Sequence, residues 1–253
     1  MRKEVNYMYN IEADLHMHTV NSGHGYSTVD ELAKTASFKG IKMIAITEHG
    51  PNMPGGPHKY FFSNMSILPE EMYGVKILKG IEANILDNGQ LDLSEDRLKS
   101  LDFIAAGLHY DTGHNLKNKK DYTNATIEAI KNPMVNMITH PASIYYPIDI
   151  QKVVRAASMN DVILEVNASS YNPQKEGTRG SKKMTIELCK MAKKYGVELS
   201  LNSDAHFHTQ VGEVHHLFDI LNEAGVTEND LINTSVGRIE TFLDSNVLRK
   251  ISV

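Results

Sequence analysis

Short apolar runs recur along the chain and alternate with segments of helical periodicity. The runs are 11–18 (IEADLHMH), 42–47 (KMIAIT), 75–83 (VKILKGIEA), 103–109 (FIAAGLH), 135–140 (VNMITH), 162–168 (VILEVNA) and 197–206 (VELSLNSDAH). They are rich in apolar and β-branched residues, as buried parallel strands are. Between them lie STVDELAKTASFKG (27–40), DYTNATIEAIK (121–131), IDIQKVVRAASMN (148–160) and SKKMTIELCKMAKKYG (181–196), whose apolar positions repeat at helical spacing. Ser27 or Thr28, ahead of Asp30 and Glu31, is placed to cap a helix. Gly40 and Gly196 stand where helices end.

These strand-then-helix units predict an α/β fold with a mainly parallel sheet. No Pro/Ser-rich linker or low-complexity segment interrupts the chain, so 1–253 reads as a single domain. Periodicity does not separate a barrel from a doubly wound open sheet. The polar residues do. His16 and His18, His49, Glu82, His109, His140, Asn167, and Asp204 with His206 fall at the C-terminal ends of successive strands. A barrel gathers its strand ends around one mouth. An open sheet would spread them over roughly 30 Å, at about 4.8 Å per strand.

Composition narrows the function classes. The net charge is −5 with histidines neutral, and no Lys/Arg stripe suggests a nucleic-acid track. The densest basic run, Lys117–Lys120, reads as a solvated loop. No apolar stretch is long enough for a membrane span, and the N-terminal MRKEVNYMYNIEADLHMH lacks a signal-peptide core. The single cysteine, Cys189, excludes an internal disulfide and reads as a buried thiol. A Cys-poor chain fits a reducing, cytoplasmic location. Twelve histidines are the unusual feature.

In a strand, residues two apart share a face, so His16 and His18 can hold one ion together; imidazole suits zinc, iron and related metals. Asp204 and His206 repeat that spacing on the last strand. His49, Glu82, His109 and His140 share one grammar, an apolar run leading into a single ligating residue. Glu82 is the natural bridge, since a carboxylate can span two cations. His24, between Gly23 and Gly25, can be brought back over the mouth by its flexible neighbours. These nine residues comprise seven neutral imidazoles and two anions. Three divalent cations would leave the site near +4, a charge that attracts an anion such as a phosphate ester. His58, His114, His208, His215 and His216 read as surface residues, with His58 the one expected to approach a substrate. The loop 51–63, rich in Pro and Gly and carrying Tyr60, Phe61 and Phe62, is expected to rim the mouth and narrow it. Neither a P-loop, nor GxGxxG, nor a GxSxG nucleophile elbow occurs.

The segments ADLHMHT, ITEHG, GIEAN, AGLH, THP and NSDAH, in that order from 13 to 206, resemble the PHP (polymerase and histidinol phosphatase) family. The stretch from His49 to His58, and Thr139-His140-Pro141 followed by 146–150 (YPIDI), are similar to its YcdX-like phosphatase branch. The resemblance implies a distorted (β/α)7 TIM-like barrel holding three divalent metal ions, zinc first, with manganese or iron as alternatives. It groups His16, His18, Glu82 and Asp204 on one ion, Glu82, His109 and His140 on a second, and His24, His49 and His206 on a third. The implied activity is hydrolysis of small phosphomonoesters by metal-bound hydroxide, with Glu82, Asp204 and Arg179 as catalytic residues. The expected partner is a small phosphorylated substrate, with neither nucleic acid nor membrane; a homo-oligomer is left open. The alternatives are a histidinol-phosphate phosphatase, a PHP-type nuclease or phosphodiesterase, and a non-catalytic metal-binding regulatory module. Two departures stand out. Glu48 replaces the family's more usual Asp before the second-strand histidine. The region from Asn167 to Ser181, which contains Arg179, matches the family pattern only loosely.

Overall fold

The computed structural model describes residues 9–171 and 179–251. In chain order the elements are β1 (Ala13–Met17), α1 (Val29–Phe38), β2 (Met43–His49), α2 (Lys59–Asn64), β3 (Glu71–Met72), β4 (Val75–Asn84), α3 (Glu95–Leu98), β5 (Phe103–Gly107), α4 (Lys119–Ile130), β6 (Met137–Ile138), α5 (Ile150–Asn160), β7 (Ile163–Asn167), α6 (Lys182–Tyr195), β8 (Leu199–Asn202), α7 (Phe218–Ala224) and α8 (Val236–Ile251). The helices start where the chain supplies caps. Thr28 and Glu31 form a reciprocal capping box on α1, and the Ser181 hydroxyl accepts from the Met184 amide at the start of α6. Gly196 ends α6 in the left-handed conformation.

Strands β1, β2, β4, β5, β6, β7 and β8 lie side by side in that order, every pair parallel; β3 is a short antiparallel addition to β4. The last seam is nearly closed. Met17 bridges Ala205, and the His18 amide donates to the Ala205 carbonyl at 2.8 Å. Lower down, the buried Asn233 side chain stands in for ladder bonds. Its Nδ2 donates to the carbonyls of Ala13 (3.0 Å) and Leu201 (2.7 Å), while its Oδ1 accepts from the Leu201 amide (3.2 Å). The result is the expected seven-stranded, distorted α/β barrel. The expectation of a strand over 135–140 shrinks to Met137–Ile138, because His140 turns to a positive φ of 33° ahead of Pro141.

Two apolar clusters surround the strands. One joins their outer faces, such as Ile44, Ile46, Ile104 and Leu164, to the helices. The other fills the interior with Ala13, Leu15, Met43, Ala45, Leu78, Phe103, Met137 and Ile163, and Ile232 and Ile239 plug it from the end where the strands start. Inward parity continues up each strand from this plug: Met43 to His49, Leu78 to Glu82, Phe103 to Gly107, Ile163 to Glu165 and Asn167. In β1 the pairing register slips between Asp14 and Met17. That bulge moves the inward set from Ala13 and Leu15 to His16 and His18, the re-aiming that bulges perform beside functional sites.

Candidate metal centre

All nine predicted ligands come together through donor contacts, His206 by its Nδ1 at 3.4 Å from Asp204 Oδ1. His16 Nε2 lies 3.1 Å from His18 Nε2 and 3.3 Å from Glu82 Oε2. His18 Nε2 is 3.5 Å from Glu82 Oε2 and 3.2 Å from Asp204 Oδ1, and His16 Nε2 is 3.7 Å from the same Asp204 oxygen. Donors on a tetrahedron around zinc, at about 2.0–2.1 Å from the ion, sit roughly 3.3 Å apart. A second trio closes on the other oxygen of Glu82. His109 Nε2 and His140 Nε2 are 3.1 and 3.0 Å from Oε1 and 3.2 Å from each other. Glu82 therefore presents one oxygen to each group. His24 Nε2 is 3.1 Å from His49 Nε2, and the His206 ring stacks on His24 at 4.8 Å and packs against His18 at 4.4 Å. Donor atoms of His18, His49 and His206 also converge within 4.8 Å, as do those of His49, Glu82 and His109. His49 and His18 thus stand between the groupings that the resemblance implies.

The surroundings fix which imidazole nitrogen faces inward. His16 Nδ1 donates to the buried Glu165 at 2.7 Å, His109 Nδ1 to Asn84 Oδ1 at 2.8 Å, and His206 Nδ1 to the Asp204 carbonyl at 3.0 Å. His18 Nδ1 lies 3.2 Å from Ser22 Oγ. The Ser22 hydroxyl donates its own proton to Glu48 at 2.5 Å, which leaves it an acceptor for His18. In each ring the outer N–H is satisfied and the inner nitrogen keeps a lone pair, the orientation that metal-ligating histidines adopt. Buried atoms of the cluster lack a well-aligned hydrogen bond, His49 Nδ1, Glu82 Oε2 and Asp204 Oδ1, although His49 Nδ1 stands 2.8 Å from Glu82 Oε2. Lone pairs facing lone pairs at about 3 Å repel unless a cation lies between them. The donor set thus fits metal ions.

Charge agrees with this reading. Burial opposes ionisation of Glu82, yet His109, His16 and His49 hold it well below the carboxylate range; His16, His18 and His206 do the same for Asp204. Burial presses His49 down to about 4 and His18 well below its ordinary value. Against the pull of burial, Glu165 and Glu82 raise His16 well above its ordinary value, and Glu82 raises His140; a bound cation would displace these protons. The carboxylates stay anionic and His18 and His49 neutral, as ligands must be.

Two residue classes position the cluster without joining it. Glu48 accepts from the Thr19 amide and hydroxyl as well as from Ser22, so the replacement for Asp ties down the loop that carries His24. Gly23, at φ +78°, passes so close to Gly55 that a side chain would overlap its backbone. Glu165, which sequence reasoning left unassigned, accepts four bonds: from His16 and Asn202 on Oε1, and from the His140 amide and Asn167 on Oε2. Asp14, also outside the cluster, takes the Ser203 and Gly212 amides and holds the turn in which Asp204 adopts a φ of 51°. Gly107 carries no side chain because a Cβ there would run into Thr139 and the rings of His109 and His140.

Above the cluster opens a cavity of about 680 Å³, bordered by His24, His49, Glu82, His109, His140, Asp204 and His206 among others. Arg179 lies on this cavity with an exposed side chain; residues 172–178 of its loosely matching segment lie outside the described residues. The expectation for the loop 51–63 needs correcting. Met53 and Pro54 border the cavity, but Tyr60, Phe61 and Phe62 do not, because they belong to α2 and Phe62 is drawn into the core. His58 is exposed, stacks beside Tyr60 and does not border the cavity either. A cavity of about 790 Å³ at the opposite end of the barrel holds lysines and carboxylates in near balance and no histidine.

Comparison with known proteins points the same way. Residues 14–204 match the family model described as "PHP domain". A protein named "Probable phosphatase" from Thermoanaerobacter sp. (strain X514) is 43% identical over 231 residues, which cover 91% of this chain and 93% of that protein. One of the same name from Proteus mirabilis is 39% identical over 240 residues, 94% of this chain and 96% of its own. Among solved structures, the fold resembles histidinol phosphate phosphatase from Lactococcus lactis, complexed with zinc, L-histidinol and phosphate. That match has a TM-score of 0.58 and 18% identity, and covers 85% of this chain and 94% of that one. It also resembles a chain in archaeal ribonuclease P with mature tRNA, at a TM-score of 0.60 and 16% identity over 92% and 90% of the two chains. At these identities the structural likenesses speak to fold alone.

Proposed function

The chain belongs to the PHP domain family, and from that premise we propose that it is a metal-dependent phosphatase that hydrolyses small phosphomonoesters. The observation that carries the reading is the ring of inward-facing imidazole nitrogens around two carboxylates whose inner oxygens have no other partner. In this reading His16, His18, Glu82 and Asp204 hold one ion, Glu82, His109 and His140 a second, and His24, His49 and His206 a third. Donor spacing supports the first two groups; the His24–His49 contact and the stacked His206 support the third. When bound, such ions activate water near neutral pH and neutralise the charge of a transferring phosphoryl group.

The chain's own residues set what can bind. Two anionic ligands against three divalent ions leave a strongly cationic floor, which rewards the terminal dianion of a monoester over the single charge of a diester. Arg179 supplies a guanidinium at the same cavity, suited to a charge-assisted contact with phosphate oxygen. Glu165, Asn84 and Ser22 hold the ligand rings in place, so little reorganisation is needed when substrate arrives.

The test compares phosphate release from a panel of monoesters, histidinol phosphate included, with cleavage of single- and double-stranded oligonucleotides at equal metal and salt. Monoester turnover should dominate. Faster cleavage of internal phosphodiester bonds than of every monoester would replace this reading by a nuclease, and inactivity on the whole panel by a metal-binding module.

A further inference from the structure

The cavity is far larger than a phosphate group requires, and beyond the metal ligands four tyrosines stand among the residues that line it, beside the polar Asp111, Ser143, Ser169, Ser170 and Arg179. At about 680 Å³ it falls within the range of pockets that enclose a drug-sized molecule. Tyr110, Tyr122, Tyr145 and Tyr146 all border it, with Met53 and Pro54. The tyrosines come from adjacent parts of the barrel. Tyr110 directly follows His109, Tyr122 lies on α4, and Tyr145 and Tyr146 lie in the loop after β6 that carries His140. Tyr122 and Tyr146 pack edge to face at 5.4 Å and lean on the core. Tyr110 and Tyr145 are 83% and 60% exposed, so packing of the folded chain does not account for them. Polar alcohols such as small sugars call for a lining of hydrogen-bonding groups. Asp111, the serines and Arg179 supply some of these; the four tyrosines add ring faces, which a flat ring uses best.

We propose that the site selects phosphomonoesters whose alcohol portion carries a flat aromatic ring, lodged against the tyrosine wall while the phosphate faces the metal ligands. The proposal rests on the phosphatase reading and narrows its substrate class. The wall rises from the loops that deliver His109 and His140, so a ring held there is one short linker away from a phosphate at Glu82. Ring stacking of this kind tolerates different ring identities, because every flat ring has a π-face.

Adenosine 5′-monophosphate and ribose 5-phosphate share the leaving alcohol and the phosphate and differ in the ring. The wild type should favour the former in kcat/KM by roughly tenfold, mainly through KM. Tyr110→Ala/Tyr145→Ala, two exposed positions whose loss leaves the core intact, should bring the ratio to about one, chiefly through a raised KM for the nucleotide. Equal kcat/KM values in the wild type, or a preference that survives the double substitution, would overturn the inference. If neither compound releases phosphate, the phosphatase reading fails separately. Calorimetric binding of the same two compounds then decides: about tenfold tighter binding of the nucleotide, lost in the double variant, supports the wall, and equal binding refutes it.

Discussion

Replacing Glu165 by Gln tests whether a residue that touches no substrate governs the cluster. The substitution keeps shape and volume but removes the charge and turns one acceptor into an NH2 group. Oε1 accepts from His16 Nδ1 at 2.7 Å and Asn202 Nδ2 at 3.1 Å; Oε2 accepts from the His140 amide at 2.7 Å and Asn167 Nδ2 at 3.1 Å. Whichever way the new amide turns, its NH2 faces two donors in a fully buried pocket. Charge-assisted bonds are worth about 1.5–3 kcal/mol each, and buried donors left unpaired cost about 1–3 kcal/mol. The metal-free variant should therefore unfold with about 3 kcal/mol less stability. Its metal affinity should fall about 10–100-fold, because His16 loses the partner that fixes its tautomer. Denaturant titration of chelator-treated protein measures the first quantity, and competition against a chromophoric chelator measures the second. Unchanged unfolding midpoint and unchanged affinity together would refute the positioning role.

Glu82→Ala should abolish turnover and metal retention, since Glu82 contributes an oxygen to each of two donor groups, whereas Arg179→Ala should reduce kcat/KM by an amount equivalent to about 1.5–3 kcal/mol; wild-type turnover and metal content in the Glu82 variant would show that the bridging role is wrong. Asn233→Ala leaves the Leu201 amide and the Leu201 and Ala13 carbonyls without partners at the barrel seam, so equilibrium unfolding should show a loss of about 3–6 kcal/mol, and a loss below about 1 kcal/mol would mean the seam does not depend on it. Burial pushes the Cys189 thiol up to about 12, so iodoacetamide near pH 8 should leave the folded protein unlabelled and modify it once denatured; labelling at the denatured rate in both states would contradict the buried setting.

The strands and their order were legible because each is apolar on both faces and ends in a polar residue that has no place in a core. The candidate ligand set followed from that contrast, and His24 from its flanking glycines. Glu165 was not assigned, although a carboxylate inside VILEVNA must find partners wherever that run is buried; its signal was present and its partners were not, because His16, Asn202 and His140 are far away in sequence. The slip in β1 left no mark in the pattern, since Asp14, His16 and His18 alternate whether or not a bulge intervenes. The tyrosine wall was equally hidden: four tyrosines scattered over 110–146 carry no periodic signal until two loops and α4 fold to one side of the mouth. The C-terminal plug and Asn233 depend on contacts with strands some two hundred residues earlier, beyond the reach of local patterning.

Elemental analysis of gently purified protein, paired with phosphate release before and after chelation, tests the central claim most directly. The account predicts about three transition-metal ions per chain, activity lost with the metal, and activity regained on adding zinc or manganese. Fewer than about one equivalent of metal, with no uptake on adding either ion and phosphate release indifferent to chelation, would contradict it.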